Sequence, residues 1–262
     1  TDEAPDGERN IDPARNFIRF DGAGDGLPQA DPAIRAAFAQ ADLSASSLAM
    51  MWAKLLYTAF VEQGQGTFKR NFVRGQYSAA GLPYYGGQSA CHTRRMWERL
   101  VYDDICHDRL QSGLHIDVHS GDGPFGWLQL YLPHDAPPET ETIAAALVER
   151  ERIRRTDSYF AKVSGDIGDY WDEFGLPASV KLHPMTVEFG TTQARIAGID
   201  VLGAILNRTL LSEKYDDNHP KRELILKQMR EAFAPSRAQW VSLIEDQSRS
   251  MWANLLDSLF IE

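Results

Sequence analysis

The sequence predicts an α/β fold in which a mixed, mostly parallel sheet is flanked by helices. Short segments with the pattern of strands lie between longer segments whose apolar residues recur at helical spacing. Strands that alternate with long helices are typical of layered α/β proteins. The 262 residues, 43% of them hydrophobic, suffice for one large domain or two smaller ones. Few strands accompany many helices, so we expect the sheet to be incomplete in this chain.

Helices dominate the first part of the chain. Residues 1–30 are rich in Asp, Gly and Pro and predict an irregular lead-in. Asp31 followed by Pro32 is a helix start signal and predicts a helix over 32–42. Apolar periodicity predicts two more helices, and Gly, Pro and Tyr residues predict a loop between them: the helices cover 45–62 and 92–110, and the loop covers 75–87.

The second half of the chain alternates between strands and helices. Alternating or continuous apolar residues bounded by turn residues predict three strands, over 114–118, 127–132 and 179–189. Segments with helical periodicity follow them, over 139–155, 194–211, 220–233 and 236–259.

Composition excludes several classes of function. The formal net charge is -10, and the chain has no sustained Lys/Arg block, which argues against nucleic-acid binding. No apolar run reaches the ~18 residues that a membrane span needs. Cys91 and Cys106, on one predicted helix, are ~22 Å apart at the helical rise, too far for a disulfide. Free thiols favour a reducing compartment, hence a cytoplasmic over a secreted location.

The segment His115-Ile116-Asp117-Val118-His119 is a candidate metal site. On a strand, His115, Asp117 and His119 share one face, because side chains alternate. Three metal-binding side chains near the carboxyl end of a strand suit an α/β active site. The alternative is a polar sheet edge with hydrogen-bonded histidines.

Two further residues are candidates for chemistry. Glu188 lies between Val187 and Phe189 on an apolar strand, and burial there raises a carboxyl pKa toward that of a general base; the alternative is a structural ion pair. Arg15, followed by Asn16, can grip a substrate carboxylate through its forked guanidinium; the alternative is a surface-loop arginine.

Together, these stretches resemble the zinc carboxypeptidase superfamily, and in particular a bacterial branch of it. The resemblance runs from about residue 10 to the C-terminus and includes a closing pattern of His219-Pro220, a helix ending in AFAP and a helix begun by Trp. Five motifs occur in the family's order: NIDPARNF at 10–17, GQY at 75–77, GLPYYGG at 81–87, DVHSGDGPFG at 117–126 and TVEFGT at 186–191.

The resemblance implies a phosphorylase/hydrolase-like fold and a role for each residue at a matching position. His119 corresponds to a zinc ligand, and Asp117 to a residue behind it. Glu188 corresponds to the general base that deprotonates water and then protonates the leaving amine. Arg15 and Asn16 correspond to the site that binds the substrate carboxylate.

The sequence departs from the family pattern at three positions and by one absence. Ala14 stands where the family has asparagine, which puts strict carboxypeptidase specificity in doubt. Asp122 replaces an apolar residue, and His115 matches no family role. None of the seven histidines has Glu three residues on, so the H-x-x-E pair that supplies two zinc ligands is missing, although a catalytic zinc needs three protein ligands.

We therefore expect residues 1–262 to be the C-terminal part of one metallohydrolase catalytic domain. An N-terminal polypeptide of roughly 80–150 residues, an ordinary domain size, would supply H-x-x-E, further strands and a carbonyl-polarising arginine. The complex would cleave an amide bond, in a peptide or an N-acyl amino acid. The alternatives are a non-catalytic binding or scaffold protein, and a hydrolase whose Thr1 is the nucleophile; for Thr1 we favour a processing site in a surface loop.

Overall fold

The structure is a computed structural model that describes residues 3, 8–20, 27, 29–105, 110–156, 163–171, 180–192 and 199–260. The chain forms two compact units. The first comprises Thr1–Gln111, Phe160–Ser179 and Leu206–Arg222, and the second Ser112–Tyr159, Val180–Ile205 and Glu223–Glu262. Thr1 and Cys106, which entered the sequence-based predictions, lie outside the described residues. Cys91 is buried and is not part of a disulfide.

The first unit is helical in the part of it that the structure describes. Helix α1 begins where the sequence predicts, because the Asp31 carboxylate accepts hydrogen bonds from the backbone N–H groups of Ala33 and Ile34. The helices are α1 (Pro32–Ala39), α2 (Ala45–Tyr57, extended by a π-helical turn Thr58–Glu62), α3 (Gln65–Val73) and α4 (His92–Arg99, extended by a π-helical turn Leu100–Ile105). The sequence did not predict α3.

The second unit is built on a four-stranded sheet. Its strands are β1 (Ser112–Ser120), β2 (Leu128–Leu132), β3 (Ile153–Arg155) and β4 (Lys181–Phe189), in the order β1-β4-β2-β3. Strands β1 and β4 are parallel, β2 and β3 are parallel, and β2 and β4 are antiparallel. The predicted class, a mixed and mostly parallel sheet flanked by helices, is confirmed.

The remaining helices complete the architecture. They are α5 (Pro138–Leu147), α6 (Ile167–Tyr170), α7 (Ile199–Lys214), α8 (Arg222–Phe233) and α9 (Ala238–Phe260). Helices α5 and α9 cover one face of the sheet, where the apolar side chains of β2 and β4 form a buried core with Leu147, Trp240 and Met251. Among the described residues, no helix combines the length and apolar content needed to cross a bilayer.

The predicted helix over 139–155 is wrong beyond Leu147. The chain there makes a 3-10 turn at Arg150–Arg152 and then pairs as β3 with β2, with Leu130 opposite Ile153. The Arg152 guanidinium donates a hydrogen bond to the carbonyl of Leu128, which holds the turn against the sheet. Pairing with a strand therefore overrides helical periodicity at this point.

Candidate functional site

A row of three polar side chains crosses the sheet in the second unit. His119 on β1 is the register partner of Glu188 on β4, and Glu188 is in turn the register partner of Gln129 on β2. Residues directly opposite each other in a sheet project from the same face. His119 and Glu188 stand side by side near the carboxyl ends of two parallel strands.

His119 has a carboxylate partner on its own strand. Its Nε2 lies 2.6 Å from Oδ2 of Asp117, two residues earlier on the same face. Burial raises the pKa of Asp117, but the hydrogen bond and charge of His119 outweigh it, and the net effect is a lowered pKa. An ionised carboxylate at Nε2 favours the tautomer that carries its proton on Nε2 and its lone pair on Nδ1. Metal-binding histidines are oriented in the same way.

Glu188 is buried, with 7% of its surface exposed. Its Oε1 accepts a hydrogen bond of 2.8 Å from the backbone N–H of Asp122. Burial raises the pKa of Glu188 to about 7, and this hydrogen bond and the nearby His119 only partly offset the effect. A carboxyl group with this pKa exchanges protons near neutral pH, as a general base requires.

The loop after β1 is locked to the segment after β4. Gly126 N–H donates to the carbonyl of Gly190, Gly190 N–H donates to the carbonyl of Trp127, and both hydrogen bonds are 2.8 Å long. A side chain at Gly190 would meet the carbonyl oxygen of Pro124 at 2.0 Å, so glycine is required there. These hydrogen bonds hold the loop that contains Asp122. The backbone N–H of Asp122 in turn orients the Glu188 carboxyl group.

Two polar residues near Glu188 were not singled out from the sequence. Tyr131 is buried on β2, and its hydroxyl donates to Oδ2 of Asp122 over 3.2 Å. Gln129 lies two residues before it, on the same face. In the sequence, the alternation of these two residues with Leu128, Leu130 and Leu132 indicates that one face of the strand is polar. All five residues of β2 are buried, so the strand resembles a core strand with no functional face.

Arg15 lies in the first unit, half-buried in a network of backbone carbonyls. Its Nε donates to the carbonyl of Val73 over 3.0 Å, and its Nη1 donates to that of Ala14 over 2.9 Å. The guanidinium also stacks 4.9 Å from the centre of the Tyr84 ring. These contacts hold the 3-10 turn Pro13–Arg15 in place. The role of Arg15 in binding a substrate carboxylate stays a prediction.

Asn16 is completely buried, and backbone groups occupy its amide. Its Nδ2 donates to the carbonyls of Gly86 and Ser89, and its Oδ1 accepts from the N–H of Cys91. These contacts join the NIDPARNF segment to the loop at 81–91. They favour a structural role for Asn16, and its assignment to substrate binding stays an untested prediction.

Comparison with known proteins gives one family. Residues 5–247 match the model of a family described as "Protein of unknown function (DUF2817)". The chain belongs to this family. No curated protein and no solved structure matches the chain. The family's description names no activity, so the resemblance to zinc carboxypeptidases stays a prediction.

The side chains around His119 supply only part of the ligands that a zinc site needs, among the residues that the structure describes. In the part of the chain that the structure describes, no group of three or more His, Cys, Asp or Glu side chains is placed to hold a metal ion. His119 fits one position of a zinc site, because the Asp117 carboxylate at Nε2 favours the tautomer that leaves a lone pair on Nδ1. A catalytic zinc here would need two further ligands, from residues outside the described part of the chain.

Proposed function

We propose that the protein is a subunit of a zinc-dependent hydrolase that cleaves an amide bond, in a peptide or an N-acyl amino acid. The observation that carries the proposal is the register pairing of His119 with Glu188, with Asp117 at 2.6 Å behind the imidazole. This pairing brings a candidate metal ligand and a buried carboxyl group together on one face of the sheet. The order of the sequence motifs supports the same reading.

Each residue of this site has a distinct task in the proposed reaction. His119 holds the metal through Nδ1, and Asp117 fixes the imidazole. Zinc, when bound at such a site, acidifies water and polarises a carbonyl group. Glu188, with a pKa of about 7, accepts a proton from water as the water oxygen adds to the amide carbon, and then gives that proton to the departing amine.

The proposal includes a second polypeptide segment, outside these 262 residues, that carries H-x-x-E. Strand β1 supports this part. It lies at one end of the strand order, and no described residue pairs with its outer edge. Val118 points to the same face as the apolar core and is nevertheless 59% exposed. An unpaired edge beside uncovered apolar surface favours strand addition.

The test is native purification from the source, followed by metal analysis and identification of any copurifying polypeptide. We expect stoichiometric zinc, a partner sequence with H-x-x-E, and amine release from N-acetyl dipeptides. Glu188→Gln is expected to keep the zinc and lose turnover, because the base does not hold the metal.

Three results would contradict the proposal in different ways. Native material free of zinc would instead support the binding or scaffold protein. Residues 1–262 expressed alone as a cooperatively folding monomer with stoichiometric, tightly held zinc would exclude the need for a partner. Loss of zinc together with activity in Glu188→Gln would make Glu188 a ligand.

A further inference from the structure

One face of helix α2 and its π-helical extension is apolar and exposed to solvent. The opposite face is buried, and Met51 and Leu55 on it are each 1% exposed. The exposed face, called the α2 stripe, is formed by six residues: Met50 (60% exposed), Ala53, Leu56 (41%), Tyr57 (56%), Phe60 (57%) and Val61 (65%). This helix therefore presents apolar surface on two sides, and in the described part of the chain only one side is covered.

The α2 stripe carries no charged side chain of its own. Lys54 and Glu62 are the only charged residues between positions 45 and 62. The Lys54 ammonium group donates a hydrogen bond to Oε1 of Gln40 over 3.2 Å, and Oε2 of Glu62 accepts one from the Thr58 hydroxyl over 3.0 Å. Both charges are thus engaged by groups of the same chain, and neither has to be desolvated when the stripe is covered.

The area of the α2 stripe is that of a protein interface. With ~200 Å² for a large side chain, its five large residues expose roughly 550 Å², and two such surfaces together exceed the ~1,000 Å² that a specific interface needs. A contiguous apolar patch of this size marks an interaction site. The exposed apolar residues of α9 differ, because Glu245 and Arg249 lie between Val241 and Trp252 and give that helix an ordinary solvated face.

The α2 stripe is self-complementary about Ala53. Met50 lies three residues before Ala53 and Tyr57 four residues after it, the spacing at which two helices pack along a seam. If two copies cross antiparallel at Ala53, the small side chain meets its own counterpart and lets the helices approach closely. Met50 of each copy then lies against Tyr57 of the other, a favourable thioether–aromatic contact. A two-fold interface requires this reciprocity.

We propose that the protein is a homodimer in which the α2 stripes of two copies pack antiparallel across a two-fold axis at Ala53. A membrane surface fits less well, because interfacial helices are rich in Lys and Arg, whereas this helix has only Lys54 and the chain has a net charge of -10. A different protein would not need symmetry about Ala53. The dimer does not depend on amide hydrolysis, since the stripe belongs to the first unit and the His119 site to the second.

The test is the mass of the natively purified protein in sedimentation equilibrium. We expect two copies of the chain per particle at micromolar concentration, with any copurifying polypeptide in equal number. Ala53→Arg brings two guanidinium groups together at the axis and should lower the association constant at least about 100-fold. Tyr57→Lys should weaken the dimer in the same direction. Ala145→Arg, the same change at an exposed position of α5 in the second unit, is the matched control and should stay dimeric.

The antiparallel arrangement has its own readout. Oxidation of an equal mixture of Met50→Cys and Tyr57→Cys proteins should link one variant to the other, whereas neither variant alone should gain a disulfide over the wild type. A particle with one copy of the chain, alone or with a different polypeptide, would overturn the dimer. Ala53→Arg protein with a normal circular dichroism spectrum and undiminished association would exclude the α2 stripe as the interface. Disulfides formed within each single variant but not in the mixture would refute the antiparallel packing.

Discussion

The burial of Glu188 leads to a measurable change of stability with pH. Burial raises its pKa from 4.5 to about 7. One pKa unit corresponds to about 1.36 kcal/mol, so holding this carboxylate ionised in the folded state costs about 3 kcal/mol of the free energy of unfolding. That is a large part of the ~5–15 kcal/mol that stabilises an ordinary domain.

The sign follows from the raised pKa. The folded protein holds the proton more tightly than the unfolded chain, so the contribution of Glu188 is fully present below pH 4.5 and is lost as pH rises through 7. Glu188→Gln keeps an oxygen that can accept from Asp122 N–H but carries no charge. We therefore expect the variant to match the wild type near pH 4.5 and to be more stable by about 3 kcal/mol at pH 8.

The assay is urea unfolding of both proteins at several pH values, in EDTA so that no bound cation offsets the charge. Glu245→Gln, at an exposed position of α9 in the same unit, is the control for a change of net charge at a solvated site. Its stability relative to the wild type should vary little with pH, because exposed charges are screened. An equal stability difference between Glu188→Gln and the wild type at pH 4.5 and pH 8 would refute the raised pKa of Glu188.

Three further substitutions test the other site residues. Asp117→Asn should weaken zinc binding about 10- to 100-fold without unfolding the protein, as measured by competition with a chelator; an unchanged affinity would show that Asp117 does not orient His119. Arg15→Ala should lower the free energy of unfolding by about 1–3 kcal/mol, since two carbonyls lose their donor, and should raise KM for substrates with a free carboxylate more than for their amides; equal changes would make Arg15 purely structural. Asn16→Ala should cost roughly 2–4 kcal/mol in urea unfolding with zinc content unchanged, because three buried backbone groups lose a partner.

Much of the fold could be predicted because its signals are local. Asp31 and Pro32 mark the start of α1 in the sequence, and the same residues begin it in the structure. The alternation around His119 identified β1. Helix α3 was missed because glycines at 64 and 66 and a polar composition hide its apolar positions, of which Phe68 and Phe72 are buried. Strand β3 was missed because only pairing with β2 makes it extended.

The site was predictable only in part, for a related reason. Strand alternation places Asp117 and His119 on one face without any knowledge of the fold. Gln129 could not be assigned to that face, since its orientation depends on the register and the antiparallel direction of β2 relative to β4. These are tertiary properties, and a shift of one residue would turn Gln129 and Tyr131 to the opposite face.

The register that creates the site is held by two glycine-containing motifs, DVHSGDGPFG at 117–126 and TVEFGT at 186–191. A slip of β4 by one residue would move Glu188 away from His119 and into the apolar core. Thr192 N–H donates to the carbonyl of Gly123, and the indole N–H of Trp240 donates to the carbonyl of Gly190. The first contact aligns the end of β4 with the loop after β1, and the second holds the same segment against α9. The motifs therefore act on the chemistry indirectly, because they fix which side chains of three strands stand opposite one another.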